Sequence, residues 1–539
     1  MSLPPNGFAS RVFLEECVAS AQPLSEPGRA RAHVFVAFGP GDEAALAAFW
    51  DRTGAFIDLL CAHPTPLLEP HLKNCNGLWF LQEDPRSWGA VELARLHSVA
   101  SSCQWLRDEI AVRLAGARTM TPGLAPLLEL LSPHCVGGGF LLAATPDSEL
   151  EHGRKSLRED TDRYLKCEKT AREEVAARIG TTAARLKSDL TLFNNDDPKL
   201  LLYRSIPELV EIAYQPHQVQ FRFVPSGPTR DALATMTRSR QLCHVMETAG
   251  IAQLCARLEP YLPLLREELA AVGELDVFYG HARWALQHHA VRPRLSADGA
   301  MTAVEAAHPV IRRQVEGLGR QYQSLSFTLR PPLVSLTGAN MGGKTAFLRT
   351  IGLLQTLFQL GYFIPAREFS ASPVLSMAWV GAVPDAPTLG LSSFGRECSD
   401  LVEALRQDSP QLLLVDEFAR STDAEEGLAL TGALLDLLRD TRRGLFLFAG
   451  HQKRLVCSSE DQIQYLHTGG LDFHAYTRNM ETMEAIPALA ASMNYRIFDG
   501  PTLSSDALQI ASALGVPEKL VHSARKLLAK RSLLPEVSL

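Results

Sequence analysis

The chain has 539 residues, 46% of them hydrophobic and 21% charged, with a formal net charge of −7 and a pI near 6.2. That length predicts about three or four domains at roughly 100–200 residues each, and the composition is ordinary for soluble globular protein. The acidic balance excludes a global attraction to nucleic acid, so any such contact must come from a local patch.

No run approaches the ~18 uninterrupted apolar residues that mark a membrane span. The opening MSLPPNGFASRVFLEE has no long apolar core behind a basic start, so neither a span nor a secretory signal is expected. Ten cysteines, none in a C-x-x-C pair, read as reduced packing thiols, and a cytoplasmic location is expected.

Residues 1–146 read as a mostly helical domain. Phe49, Phe56 and Leu59/Leu60 fall at helical spacing, as do Leu93, Leu96, Trp105, Leu106, Ile110 and Val112. This aromatic stripe reads as core rather than as a ligand platform, and the scattered histidines show no ligand pattern. Gly137–Gly139 marks a turn and a boundary.

From Glu149 to Lys187 the sequence is dense in alternating charge with pairs such as Glu168–Arg172, which predicts a long solvated helix or helical hairpin acting as an arm. Leu200–Tyr203 and Val219–Val224, separated by Pro207 and Pro216, predict strands of a small β-rich insertion over about 186–228. Between Leu186 and Glu247 there are seven Lys/Arg and seven Asp/Glu, whereas a clasp for a duplex should be basic. Helical pattern resumes from Arg230 to His289, so helices flank the insertion through residues 147–290.

The chemistry gathers in residues 291–539. Leu333, Val334 and Leu336 predict a buried strand that enters Gly338-Ala339-Asn340-Met341-Gly342-Gly343-Lys344-Thr345, and an apolar helix follows from Phe347. This is G-x-x-x-x-G-K-[ST], the Walker A phosphate loop, in its strand–loop–helix setting. Glycines let backbone N–H groups converge on phosphate oxygens, and the helix N-terminus adds its positive dipole end. Lys344 is assigned to the β- and γ-phosphates and Thr345 to Mg²⁺.

About 70 residues later Leu412–Val415 predicts a buried strand delivering Asp416 and Glu417 at its end. The first acid is expected to hold Mg²⁺ and the second to activate the attacking water. His451, just past the apolar run Gly444–Ala449, is expected to sense the γ-phosphate. The cofactors expected are ATP and Mg²⁺.

Segment 338–455 resembles the ATPase domain of the MutS family, a branch of the ABC-type ATPases. GANMGGKT is similar to that family's GPNMGGKS/T with Ala339 in place of Pro, GYFIPA to its GxxVPA, and FAGH to its FATH. In VDEFARSTDAEEG, Asp416, Glu417, Arg420, Thr422 and Gly427 match DEIGRGTSTxDG, while Ala419 and Ser421 replace two glycines. LSSFGRE stands where the family has its signature segment, which makes Ser392 the candidate contact to ATP bound in another subunit. Tyr322 falls where the family has an aromatic that stacks on adenine. Val291-Arg292-Pro293 with Ala307-His308-Pro309-Val310 resembles the entry to the domain, and 507–528 the closing helix–turn–helix dimerisation segment (about 505–530).

The resemblance implies a multidomain α+β protein. Helical N-terminal and lever regions with a small β-containing clamp would precede an α/β P-loop ATPase domain that pairs head to tail as a homodimer or with a related subunit. The family's F-x-E mismatch reader has no counterpart beyond Phe13-Leu14-Glu15 in an unmatched surround. Two clients for the levers therefore stand open: DNA, the family default, or a protein such as a cobalamin-dependent aminomutase awaiting reactivation. No membrane partner is expected.

Overall fold

The computed structural model describes the chain except for residues 1–5, 34–35, 63–66, 114–122, 193–196, 216, 339–341, 382–392, 407–409, 421, 442, 452–461, 481–483, 502–506 and 532–539. The protein is a mixture of helices and sheets. Its chain forms two compact units, one of residues 1–73, 110–117 and 270–539 and one of residues 74–109 and 118–269. The expected helical domain over 1–146 is thus divided between them. No helix among the described residues is long and apolar enough to cross a membrane.

The first unit is built on a six-stranded sheet in the spatial order Ser376–Gly381, Gln411–Asp416, Gly444–Gly450, Leu333–Thr337, Ile463–Leu471, Met493–Asp499. The first five strands are parallel and the last is antiparallel. Near-continuous apolar runs such as LVSLT and QLLLV suit parallel strands that are covered on both faces. A four-stranded sheet of Arg294–Leu295, Glu368–Ala371, Met301–Ala306 and Leu325–Leu329 belongs to the same unit.

The helix Lys344–Gln359 is buried on all sides, including Phe347, Leu348, Ile351, Leu354 and Phe358. Such a helix needs cover around its whole circumference. The sheet covers one side and the N-terminal segment another. At Gly352 an added Cβ would come within 2.7 Å of Val12, 3.1 Å of Phe8 and 3.2 Å of Leu414, so a single glycine marks where the three elements meet. Trp50 lies 5.2 Å from Phe358, ring to ring, and Phe49 packs on Gly361.

Polar ties hold the same segment down. Ser25 donates from N and Oγ to Asp276 Oδ2, each at 2.6 Å, and the Trp284 indole donates to Cys17 O at 2.9 Å. Two buried histidines belong to this unit. Burial pushes His281 down to about 3 and His308 down to about 4, and His308 Nδ1 accepts the Ile311 N–H at 3.4 Å as an N-terminal cap.

The second unit pairs the helices Glu149–Ile179 and Gly227–Leu258. Arg154 bridges to Glu247 at 2.8 Å and Ser239 donates to Asp160 at 2.6 Å. Ser148 caps the first helix and Gly180, at φ +68, ends it, both as the residue types favour. The insertion is a three-stranded antiparallel sheet of Leu190–Leu192, Gln218–Phe223 and Leu209–Gln215 around Val219 and Phe221.

Leu200–Tyr203, expected as a strand, lies in the helix Lys199–Arg204. Asp197 Oδ1 accepts the Lys199 N–H at 2.9 Å to start that turn, and Leu200 and Tyr203 then bury one helical step apart. The insertion's arginines are engaged: Arg222 with Asp189 at 2.8 Å and Arg204 with Glu211 at 2.9 Å.

Two expectations follow. Trp50→Ala should cost the unit containing the six-stranded sheet about 3–5 kcal/mol. Far-UV circular dichroism in a denaturant series would show it, and an unchanged transition would mean residues 6–62 are an appendage. The second concerns acid. His281 and His308 stay neutral when folded but take up protons below about 6.5 when unfolded. Stability is therefore complete above that pH and is lost as the pH falls toward 4, by up to about 1.4 kcal/mol per pH unit for each histidine. His308→Asn keeps an acceptor for the Ile311 N–H and should lower the slope of unfolding free energy against pH between 6.5 and 4 by up to about 1.4 kcal/mol per pH unit.

Candidate nucleotide-binding site

Parallel strands bring their C-terminal ends to one edge, where ligands of such sheets bind. Thr337 pairs with Gly450, and Asp416 with Ala449, so Gly338, Glu417 and His451 each begin one step beyond paired residues. Gly343, at φ +86, turns the chain into the helix Lys344–Gln359 in a backbone conformation that glycine reaches without steric cost. The ring of Tyr495 lies against it; an added Cβ there would stand 2.8 Å from a ring carbon. Ala339, Asn340 and Met341 lie outside the described residues.

Lys344 is 5% exposed. Its Nζ donates to Gly338 O at 2.9 Å and stands 3.8 Å from Glu417 Oε1. Burial pushes the ammonium below its ordinary pKa, against the pull of Glu417 and Asp416. Thr345 Oγ1 donates to Asp416 Oδ2 at 2.8 Å, while the buried Asp416 Oδ1 has no hydrogen-bond partner among the described residues. Burial raises the Asp416 pKa, and the Thr345 hydroxyl partly offsets it. A hydroxyl and a carboxylate with an unsatisfied oxygen form a hard-oxygen donor pair of the kind Mg²⁺ takes, so these residues fit that ion.

Glu417 sits at φ +52, a strained backbone region for a residue with a side chain. Its N–H donates to Ala449 O at 2.9 Å, fixing it to the neighbouring strand. His451 Nε2 is 2.8 Å from Oε1, and Arg420 pairs with Oε2. Burial pushes this carboxyl upward, but His451, Arg420 and Lys344 together outweigh burial and hold it below the usual range. Lys344, Thr345, Asp416, Glu417 and His451 therefore form one connected cluster.

The Tyr322 hydroxyl accepts the His308 N–H at 3.0 Å, and the Arg312 guanidinium lies 5.3 Å from its ring centre. With Gln323, Asn494 and Arg496 it lines a cavity of about 440 Å³. Ser392 lies outside the described residues; the helix Ser393–Leu405 begins immediately after it.

Three residues given no role from sequence belong to the neighbourhood. Tyr495 covers Gly343, and Gln323 pins it by donating to Met493 O at 3.0 Å and accepting the Tyr495 N–H at 2.9 Å. Glu397 Oε2 accepts the Ala419 N–H at 2.8 Å, tying the helix Ser393–Leu405 to the loop after Glu417. No local motif announces these residues, because each acts across a long sequence separation.

Residues 334–532 match the family described as MutS domain V. Among curated proteins, the "DNA mismatch repair protein MutS" of Desulfitobacterium hafniense is 29% identical over 266 residues, 49% of this chain and 29% of that protein. The "Endonuclease MutS2" of Levilactobacillus brevis is 30% identical over 285 residues, 51% of this chain and 33% of the relative. For the "Endonuclease MutS2" of Lacticaseibacillus casei the figures are 30% over 312 residues, 56% and 36%. The chain thus spans about a third of the length of the curated relatives it matches.

Ala419, at φ +59, occupies a conformation that suits glycine. Its contact with Glu397 runs through the backbone. Ala419→Gly should therefore keep that bond and raise stability by about 0.5–1 kcal/mol, the left-handed strain relieved less the added chain entropy. Thermal unfolding measures it, and a lowered transition would show that the Ala419 methyl packs more usefully than its backbone strains.

Proposed function

This chain is a member of the MutS family through its domain V, the family's ATPase domain, and from that premise we propose that it binds and hydrolyses ATP and uses the ATP/ADP difference to move its helical arms on DNA. The observation that carries the ATPase reading is the cluster of Lys344, Thr345, Asp416, Glu417 and His451 at one sheet edge. The DNA reading takes its support from similar proteins named for DNA mismatch repair and as endonucleases.

In this reading backbone N–H groups from Gly338 to Thr345 cradle the phosphates, and Lys344 leaves Gly338 O to neutralise charge on the transferring phosphoryl group. Glu417, already ionised and held by His451, takes the proton of the water that attacks in line. His451 keeps the carboxylate oriented and senses the γ-phosphate. Mg²⁺, when bound, supplies charge neutralisation at the phosphate oxygens, and Thr345 and Asp416 hold it. Tyr322 and the cavity beside it receive the adenine. Two subunits, the same or related, pair head to tail through the domain and its closing helices, with Ser392 of each reaching the ATP of the other.

ATP turnover measured with duplex, mismatched, branched and single-stranded DNA across a salt series tests the whole reading. DNA-stimulated turnover that weakens with salt is expected, because phosphate contacts release counterions. Turnover indifferent to every DNA would overturn the DNA client. Lys344→Ala should abolish nucleotide binding. Asp416→Asn should raise the Mg²⁺ requirement about tenfold or more. Glu417→Ala should bind ATP and lower turnover by about 10²–10⁴-fold, and wild-type turnover in that variant would remove Glu417 as the base.

A further inference from the structure

We propose that Arg11 is a positioning residue of the nucleotide site, one that holds the helix Ser393–Leu405 to the end of the strand Ser376–Gly381 beside Asp416. The inference rests on the ATPase reading above and assigns a role within it to a residue outside the matched stretch 334–532.

Arg11 closes the helix Asn6–Arg11. Its Nη1 donates to Gly381 O at 3.1 Å and its Nη2 to Asp400 Oδ2 at 3.1 Å, with the guanidinium 5.9 Å from the ring centre of Trp379. The two donors of one planar fork therefore serve two different elements, a strand end and a helix. A lysine has no such divergent pair.

Gly381 leaves no slack for a loose fit. It is paired in register with Asp416, and an added Cβ would stand 2.5 Å from Asp416 O. A displacement of this strand end is thus felt at the residue assigned to Mg²⁺. The other partner, Asp400, lies on the helix that Glu397 already ties to Ala419, two residues past Glu417. That helix is fastened at Glu397 to the loop bearing the base and at Asp400 to Arg11.

The mount of Arg11 is itself rigid. Phe8 and Val12, on either side of it, pack on Gly352 of the helix that begins with Lys344 and Thr345. Arg11 therefore sets the distance between the helix carrying the phosphate-loop cation and the helix Ser393–Leu405. The arginine is 19% exposed and Asp400 34%, so the pair is only partly screened. Its contribution is geometric: small misplacements of reacting groups cost rate far more than they cost binding.

The test compares the full chain with Arg11→Ala, Arg11→Lys, Asp400→Asn and the double variant Arg11→Ala/Asp400→Asn. The readouts are binding of a fluorescent ATP analogue, steady-state ATP turnover, thermal unfolding and backbone hydrogen exchange. Arg11→Ala should keep analogue affinity within about threefold while kcat falls about tenfold or more. Amides of Ser393–Leu405 should exchange faster while those of the strand Leu333–Thr337, which does not pair with Ser376–Gly381, do not. Arg11→Lys should recover part of kcat, and the double variant should be no slower than Arg11→Ala, since both remove one interaction.

Unchanged kcat in Arg11→Ala overturns the proposal. So does a parallel fall of affinity, kcat and melting temperature, which would mark a purely structural arginine. If the wild-type chain does not turn over ATP, it is the proposed function that fails. Arg11 is then decided by exchange alone, and unaltered protection of Ser393–Leu405 overturns it.

Discussion

A helix buried on every side needs cover around its whole circumference, and Lys344–Gln359 is such a helix, with Thr350, Gln355, Thr356 and Gln359 buried beside its apolar residues. Much of the first unit is arranged to cover it. The central strands take one face, and the segment that opens the chain takes another through Phe8, Val12 and Trp50. The result is that the segment beginning the sequence belongs to the same core as the helix Lys344–Gln359, more than 300 residues later. Fixing this helix fixes the direction of its first turn, which is where Lys344 and Thr345 stand.

That first turn carries an electrostatic cost that the surrounding residues offset by pairing. A buried ammonium and a buried carboxylate are each unfavourable alone. Here Lys344 leans on Gly338 O and Glu417, Asp416 on Thr345, and Glu417 on His451 and Arg420. Much of the bonding capacity of the cluster is thus satisfied within the protein. A nucleotide must exchange these internal bonds for its own, and the buried Asp416 Oδ1 is the conspicuous site left without a partner among the described residues. Strain at Glu417 and Ala419, both at positive φ, is concentrated in the same loop, as expected where the backbone is bent to aim a functional group.

The second unit follows a different logic. Of its two long helices the first is dense in charge, the two are bonded across by Arg154–Glu247 and Ser239–Asp160, and its small sheet has a separate core around Val219 and Phe221. Arg222 and Arg204 are drawn into ion pairs with Asp189 and Glu211 rather than gathered into a basic surface. Any grip on nucleic acid through this insertion must therefore come from positions other than these two arginines, or from exchange of their partners for phosphate.

The amino-acid sequence alone determined the chemistry that is local in the chain. The candidate phosphate loop, the strand ending in Asp416-Glu417 and the position of His451 are each legible within a dozen residues, because loop glycines, a buried apolar run and an acidic pair have contiguous signatures. The charged helix expected within Glu149–Lys187 was legible for the same reason and runs from Glu149 to Ile179, while its caps were read only from the structure. The strand expected at Leu200–Tyr203 failed because four apolar residues suit a short buried helix equally well. Only the tertiary structure decided that Tyr495 covers Gly343, that Glu397 holds the loop after Glu417, and that Arg11 reaches Gly381 and Asp400. These are contacts between residues from 22 to 389 positions apart. They carry no periodic or spacing signal, since what selects them is the shape of the space left when the helix Lys344–Gln359 is covered.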